Sequence, residues 1–399
     1  MKRREFLRSV SAVAASAAVV KRSTATDDLA EPLSDHRIKS VTTRWVDTSW
    51  PRPVGRNAVK DKHGQYSKKP IVVLTTDQGV RGWGQVRGTK QAIDAVKDRV
   101  TGKTVSELFS PSDSIAAPHL TSLELALHDL AGKILEMPVW KMIATDGRDQ
   151  PFVTRIYSGM IYFDDLDPAG APAGIDKLIE ECQWDYDYGY RQFKLKIGRG
   201  HRWMKPAAKG LQRDIDAVQA IHQRFPNCDI LVDANNGYSV DDCIEFLSGV
   251  KGVPLFWVEE PFHESVDEYR RLNTWMDANG FGSTYLADGE AKPDAAVLDQ
   301  LQSDGVLDVR LEDVMSVGFT GWRTMLPRLI SENTLASPHA WGCGLKTFYI
   351  AHLAAAFGGV PTIEGVTMSD ADIDFGENKI QDGNLQVSSE PGFGLKLKN

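Results

Sequence analysis

Ile230-Leu231-Val232-Asp233-Ala234-Asn235 leaves an apolar run on an acid, and two later stretches repeat the event: Phe256-Trp257-Val258-Glu259-Glu260-Pro261 and Leu286-Ala287-Asp288-Gly289-Glu290. Short apolar runs of this kind, bounded by polar residues, read as strands of a buried parallel sheet. Outward from them, the chain beyond Pro151 alternates a short strand with a longer amphipathic stretch. The strand ends fall near Tyr157, Lys196, Asp233, Glu259, Glu290, Asp313, His339 and Glu364. Successive ends are 23 to 39 residues apart, which suits βα units, and eight parallel units close into a barrel. From the second strand on, every end is ionisable. The carboxyl ends of barrel strands share one mouth, so these side chains are predicted to meet there.

In Arg191-Gln192-Phe193-Lys194-Leu195-Lys196-Ile197-Gly198, period-two geometry turns both lysines to one face, into the barrel. Burial is expected to lower a lysine pKa toward that of a general base. A lone acid at a strand end is an ordinary helix cap. Asp233, Glu259 and Glu290 at one mouth would instead repel one another unless a hard divalent cation sat between them, and oxygen-only ligands suit Mg2+. Asp313 and His339 end adjacent strands, which permits an aspartate to fix the histidine tautomer and raise its basicity. Glu364, at the last strand end, is placed to donate to or orient a substrate carboxylate.

The part before the barrel reads α+β. Ile71-Val72-Val73-Leu74, a turn at Asp77-Gln78-Gly79 and Gly82-Trp83-Gly84-Gln85 form a hairpin, and a helical stripe follows over 120–134. From Asp47 to Gln65 the chain is turn-rich and basic, and is predicted to be a loop over the mouth. Arg52 and Arg56 within it, and Arg87 beyond it, are candidates for substrate binding.

The chain has 399 residues, enough for two cores, with a formal charge of -8 and no block of basic residues, which argues against a nucleic-acid partner and for a small molecule. Four cysteines show no zinc spacing and read as free thiols. At the N-terminus, Lys2-Arg3-Arg4 and Glu5-Phe6-Leu7 precede an apolar stretch from about Val10 to Val20, too short for a stable membrane anchor. The order resembles a twin-arginine signal, which predicts export to the periplasm and cleavage near Thr26.

Lys-x-Lys, Asp-x-Asn, Glu-Glu-Pro, Gly-Glu, an Asp before a glycine-containing loop, Ser-Pro-His and a final Glu, in that order, resemble the mandelate racemase subgroup of the enolase superfamily. The similarity covers nearly all of the chain after the leader. It implies an α/β fold, a modified TIM barrel (β/α)7β with an N-terminal α+β capping domain. The corresponding division is a leader over 1–35, the cap over 36–150, the barrel over 151–370 and a segment over 371–399 returning to the cap. It further implies Mg2+ on Asp233, Glu259 and Glu290, with Asn235 supporting, Lys194 and Lys196 as the strand-two pair, Asp313–His339 as a dyad, and Glu364 on the carboxylate side. One departure is visible, Phe319 after Gly318 where the family often has a second glycine. The implied reaction is removal of the proton next to a carboxylate, with dehydration of an acid sugar to a 2-keto-3-deoxy acid favoured. Racemisation or epimerisation of a 2-hydroxy acid is the alternative, and a non-catalytic exported binding protein a third. A small carboxylate partner and a homo-oligomer are expected.

Overall fold

The computed structural model describes residues 30–290, 292–368 and 372–398. The leader sequence through residue 29, including the arginine pair, lies outside the described residues.

The cap is a three-stranded antiparallel sheet, β1 (Ile38–Val54), β2 (Gly64–Thr76) and β3 (Arg81–Gln85), with helix α1 (Glu124–Ile134) packed on it. Close packing of α1 requires bare backbone opposite it. A Cβ on Gly82 would come within 2.4 Å of Leu130 Cβ. The hairpin β2–β3 lies where the sequence places it.

The stretch from Asp47 to Val54 does not form the predicted loop. It is the end of β1, a 17-residue strand, and only residues 55–63 connect it to β2. Val46, Thr48 and Trp50 alternate inward as a half-buried strand demands. Pro51 and Pro53 hide that periodicity. They sit where the register shifts between Ser49 and Val54, and β1 is the edge of the sheet, where a missing N–H is tolerated.

Eight parallel strands form the barrel: β4 (Thr154–Ile161), β5 (Gln192–Lys196), β6 (Asp229–Asp233), β7 (Leu255–Glu259), β8 (Tyr285–Asp288), β9 (Val309–Arg310), β10 (Leu335–Ala336) and β11 (Ile363–Gly365). They pair in sequence order from β4 to β10, and β11 pairs with β4. The Ser337 hydroxyl closes the remaining seam by donating to the Thr362 carbonyl at 2.8 Å. Helices α2 (Ile175–Tyr188), α3 (Ala207–Arg224), α4 (Val240–Gly249), α5 (Val266–Ala278), α6 (Ala295–Ser303), α7 (Phe319–Ser331) and α8 (Gly344–Phe357) occupy the seven successive connections. The fold is thus (β/α)7β. Hairpin β12 (Lys379–Gln381) and β13 (Asn384–Gln386) then adds antiparallel to β4. The last residues return to the cap, where Phe393 N–H donates to Asp129 and the Trp83 indole donates to the Leu395 carbonyl.

Cap and barrel meet at the start of α7. Glu124, buried on α1, accepts from the backbone N–H groups of Phe319 (3.2 Å) and Thr320 (3.0 Å), the unsatisfied donors of a helix start. All four cysteines are buried free thiols, and no helix among the described residues is long and apolar enough to cross a membrane.

Candidate active site

The parallel register of β5, β6 and β7 sets Lys196, Asp233 and Glu259 in one row across three strands. Their side chains share a face of the sheet for that reason. Phe193 turns the other way, against Phe225 at the end of α3, so Lys194 and Lys196 both point inward and are buried. Lys194 Nζ lies 2.7 Å from Glu259 Oε1, 3.0 Å from Glu364 Oε1 and 3.5 Å from Asp233 Oδ2. Lys196 Nζ contacts Asp233 Oδ2.

These contacts overturn the expected direction of the lysine pKa. Burial does pull both ammonium groups down, but Glu259 and Glu364 beside Lys194, and Asp233 beside Lys196, outweigh it and hold both above the usual lysine range. Reading only the burial gives the wrong sign.

Asp233, Glu259 and Glu290 each present an oxygen within 4.8 Å of the others'. Asn235 N–H donates to Asp233 Oδ1 at 2.8 Å, and the Trp257 indole donates to Glu259 Oε2 at 2.9 Å, so two of the three acids are oriented by fixed donors. Glu290 Oε2 is buried with no hydrogen-bond partner among the described residues. Burial and the neighbouring acids push the Glu259 carboxyl well up, which measures how poorly the site tolerates three negative charges on their own. Hard oxygen donors, mutual repulsion and an orphaned carboxylate oxygen together fit a hard divalent cation. Just past the strand ends, Asn235, Asn236 and Glu260 adopt left-handed backbone with φ of 43°, 61° and 40°. Such conformations cost on the order of 1 kcal/mol or more each and cluster at functional sites.

Across the barrel, His339 Nδ1 lies 2.9 Å from Asp313 Oδ2. Asp313 Oδ1 also caps the following turn, accepting from Met315 and Ser316, which fixes the aspartate before it holds the histidine. The sequence reading missed Lys346, whose Nζ is 2.6 Å from the same Oδ2. His339 Nε2 is 3.1 Å from Glu290 Oε1, out of line for a hydrogen bond. Burial lowers the His339 pKa, yet Glu290, Glu364 and Asp313 raise it to about 10.

Glu364 accepts from the backbone N–H groups of Ala340 (2.6 Å) and Trp341 (2.9 Å) as well as facing Lys194. Burial notwithstanding, Lys194 and His339 hold it below the usual carboxylate range. In this arrangement it orients the loop after His339 rather than donating a proton.

The three arginines do not join this constellation. Arg52 forks onto Asp185 with both contacts at 2.9 Å, Arg56 pairs with Asp167 at 3.0 Å and lies over Trp203, and Arg87 donates to the carbonyls of Met315 and Ser316. They tie cap to barrel. What the cap brings to the mouth is aromatic: Trp50 stacks on Trp341 at 5.4 Å, and His63 meets both Tyr162 and Trp341 edge-on. Tyr162 in turn lies 5.3 Å from Lys196 Nζ. The signal was present in the burial phase of Trp50 and in Trp341 standing two residues after His339. Neither is an ionisable residue at a strand end.

The profile of the Enolase C-terminal domain-like family matches residues 177–399. A hydrophobic dipeptide epimerase of Citrifermentans bemidjiense is 28% identical over 207 residues, which are 47% of this chain and about half, 51%, of that one. A D-xylonate dehydratase of Haloferax volcanii is 22% identical over 92% of this chain and 94% of its own. Among solved structures, a mutant galacturonate dehydratase from Geobacillus sp., complexed with Mg, superposes with a TM-score of 0.83 at 28% identity, covering 91% of this chain and 93% of that one.

Proposed function

The chain belongs to the Enolase C-terminal domain-like family, and from that membership we propose a magnesium-dependent enzyme of the mandelate racemase subgroup that dehydrates an acid sugar to a 2-keto-3-deoxy acid. The observation that carries the reading is the placement of two proton-transfer groups on opposite sides of one carboxylate cluster: Lys196 against Asp233, and His339 against Glu290. Asp233, Glu259 and Glu290 would hold the cation. A divalent cation there would supply positive charge to a substrate carboxylate and would relieve the carboxylate field that keeps Lys196 protonated.

The chain's own groups do the rest. Lys196 removes the α-proton, and the C–H electrons pass into the enolate. Lys194 meets the developing negative charge with a buried ammonium. His339, oriented by Asp313, gives its proton to the β-hydroxyl as the C–O bond breaks, so water departs and the enol tautomerises to the keto acid. The same two bases would racemise a substrate lacking a β-hydroxyl, returning the proton to either face. Release of a keto acid separates the two reactions. Among mono- and di-acid sugars incubated with enzyme and Mg2+, at least one should yield a keto acid; a panel without any, alongside α-proton exchange in deuterated buffer, would replace dehydration by racemisation. The leader supports a further proposal, export of the folded enzyme by a twin-arginine route.

A further inference from the structure

His63 is a cap side chain at the mouth's aromatic wall whose second ring nitrogen meets no partner among the described residues. Its position is fixed twice by the β1–β2 connection: its N–H donates to the Val54 carbonyl at 2.9 Å, and its Nδ1 lies 2.8 Å from the Gly55 carbonyl. A carbonyl can only accept, so Nδ1 carries the proton. The neutral ring then bears a lone pair on Nε2, and Nε2 has no hydrogen-bond partner among the described residues. Ring contacts at 4.9 Å to Tyr162 and 5.5 Å to Trp341 hold it edge-on. Burial, countered in part by the Gly55 carbonyl, and then the Lys196 ammonium disfavour a charged ring.

We infer that His63 reads the substrate's hydroxylated chain, accepting a hydrogen bond at Nε2 from a hydroxyl remote from the reacting carbons. The inference rests on the proposed acid-sugar reading and assigns recognition of one distal hydroxyl to His63. Four features support a hydroxyl over a carboxylate or an alkyl group. A bare imidazole nitrogen accepts and cannot bind a second carboxylate. An unmet polar atom disfavours an alkyl chain, because covering it without a partner costs the desolvation of that nitrogen. The rings of Trp341 and Tyr162, packed on each other at 5.1 Å, make the surroundings of Nε2 apolar, which strengthens a hydrogen bond formed there. Arg52, Arg56 and Arg87, which would favour a second carboxylate, are engaged elsewhere.

The test is calorimetric titration of the full-length enzyme with Mg2+ present, using a set of hexonates and counterparts each lacking one distal hydroxyl. In the wild type, one missing hydroxyl should weaken binding by roughly 10-fold, the worth of one hydrogen bond. In His63→Phe that hydroxylated acid and its deoxy counterpart should bind alike, and His63→Gln, which keeps an acceptor, should recover part of the difference. Equal weakening of both ligands by His63→Phe would mark the residue as packing only and overturn the inference, as would a wild type indifferent to every distal hydroxyl. Failure of dehydration is a separate result, seen as missing keto acid while the hydroxyl-dependent affinity persists.

Discussion

Asp313 holds His339 by Nδ1 at 2.9 Å while the other ring nitrogen lies 3.1 Å from Glu290. One residue fixes the proton on the imidazole and the other faces where the proton is used. Asp313→Asn should therefore weaken keto-acid formation without abolishing it, by roughly 100-fold, at the low end for a general acid–base contribution. An unchanged rate would remove the dyad from the mechanism.

Lys196 and His339 predict opposite phenotypes. His339→Asn should lose dehydration yet keep exchange of the α-proton for substrates whose proton faces Lys196, since exchange needs one base and a stabilised enolate. Lys196→Ala should lose that exchange. NMR in deuterated buffer follows both, and wild-type rates in the two variants would show that neither group moves the proton.

Chelation should abolish turnover and Mg2+ should restore it. Independently of activity, Mg2+ should raise the melting temperature of the wild type, because a ligand bound only by the folded state stabilises it. Glu259→Gln removes a cluster charge and should erase that shift. A shift of equal size in the variant would place the cation elsewhere.

Two buried histidines predict acid sensitivity. His128 accepts from Arg323 of α7, and His352 Nδ1 accepts from the Trp140 N–H at 3.0 Å. Burial lowers both pKa values, that of His128 far below normal with Arg323 adding to it, and that of His352 to about 3. Folded, these rings stay neutral. Unfolded, they bind protons below about pH 6.5. The contribution of these two rings to stability is therefore complete above that pH and is lost as pH falls toward 3, by up to about 1.4 kcal/mol per pH unit for each ring. Calorimetry at pH 7.5, 6 and 5 should show a falling melting temperature; a flat profile would contradict it.

Export is tested at Arg3 and Arg4. Lysine at both positions keeps the charge but not the pair that a twin-arginine receptor reads, so folded enzyme should accumulate inside the cell. Unchanged export would indicate another route.

The strand-end acids, the two lysines and the His-Asp pair were legible because each follows from local periodicity plus one rule, that barrel strands open on a common mouth. What was not legible depended on partners distant in sequence. Arg52 is claimed by Asp185, 133 residues away, and no local pattern announces that. The lysine pKa direction failed for a related reason, since burial is visible in an apolar strand but the competing carboxylates come from other strands. β1 was misread because two prolines interrupt an alternation that Val46, Thr48 and Trp50 otherwise keep.

Trp50 and Trp341 lie face to face, 5.4 Å apart and within 9° of parallel, one from the end of β1 and the other from the loop that follows His339. Two indoles so arranged share their electronic transitions, so the protein contains an intrinsic optical gauge of the distance between cap and barrel. Any swing of the end of β1 away from the mouth would separate the chromophores and change the near-ultraviolet circular dichroism, with no label attached.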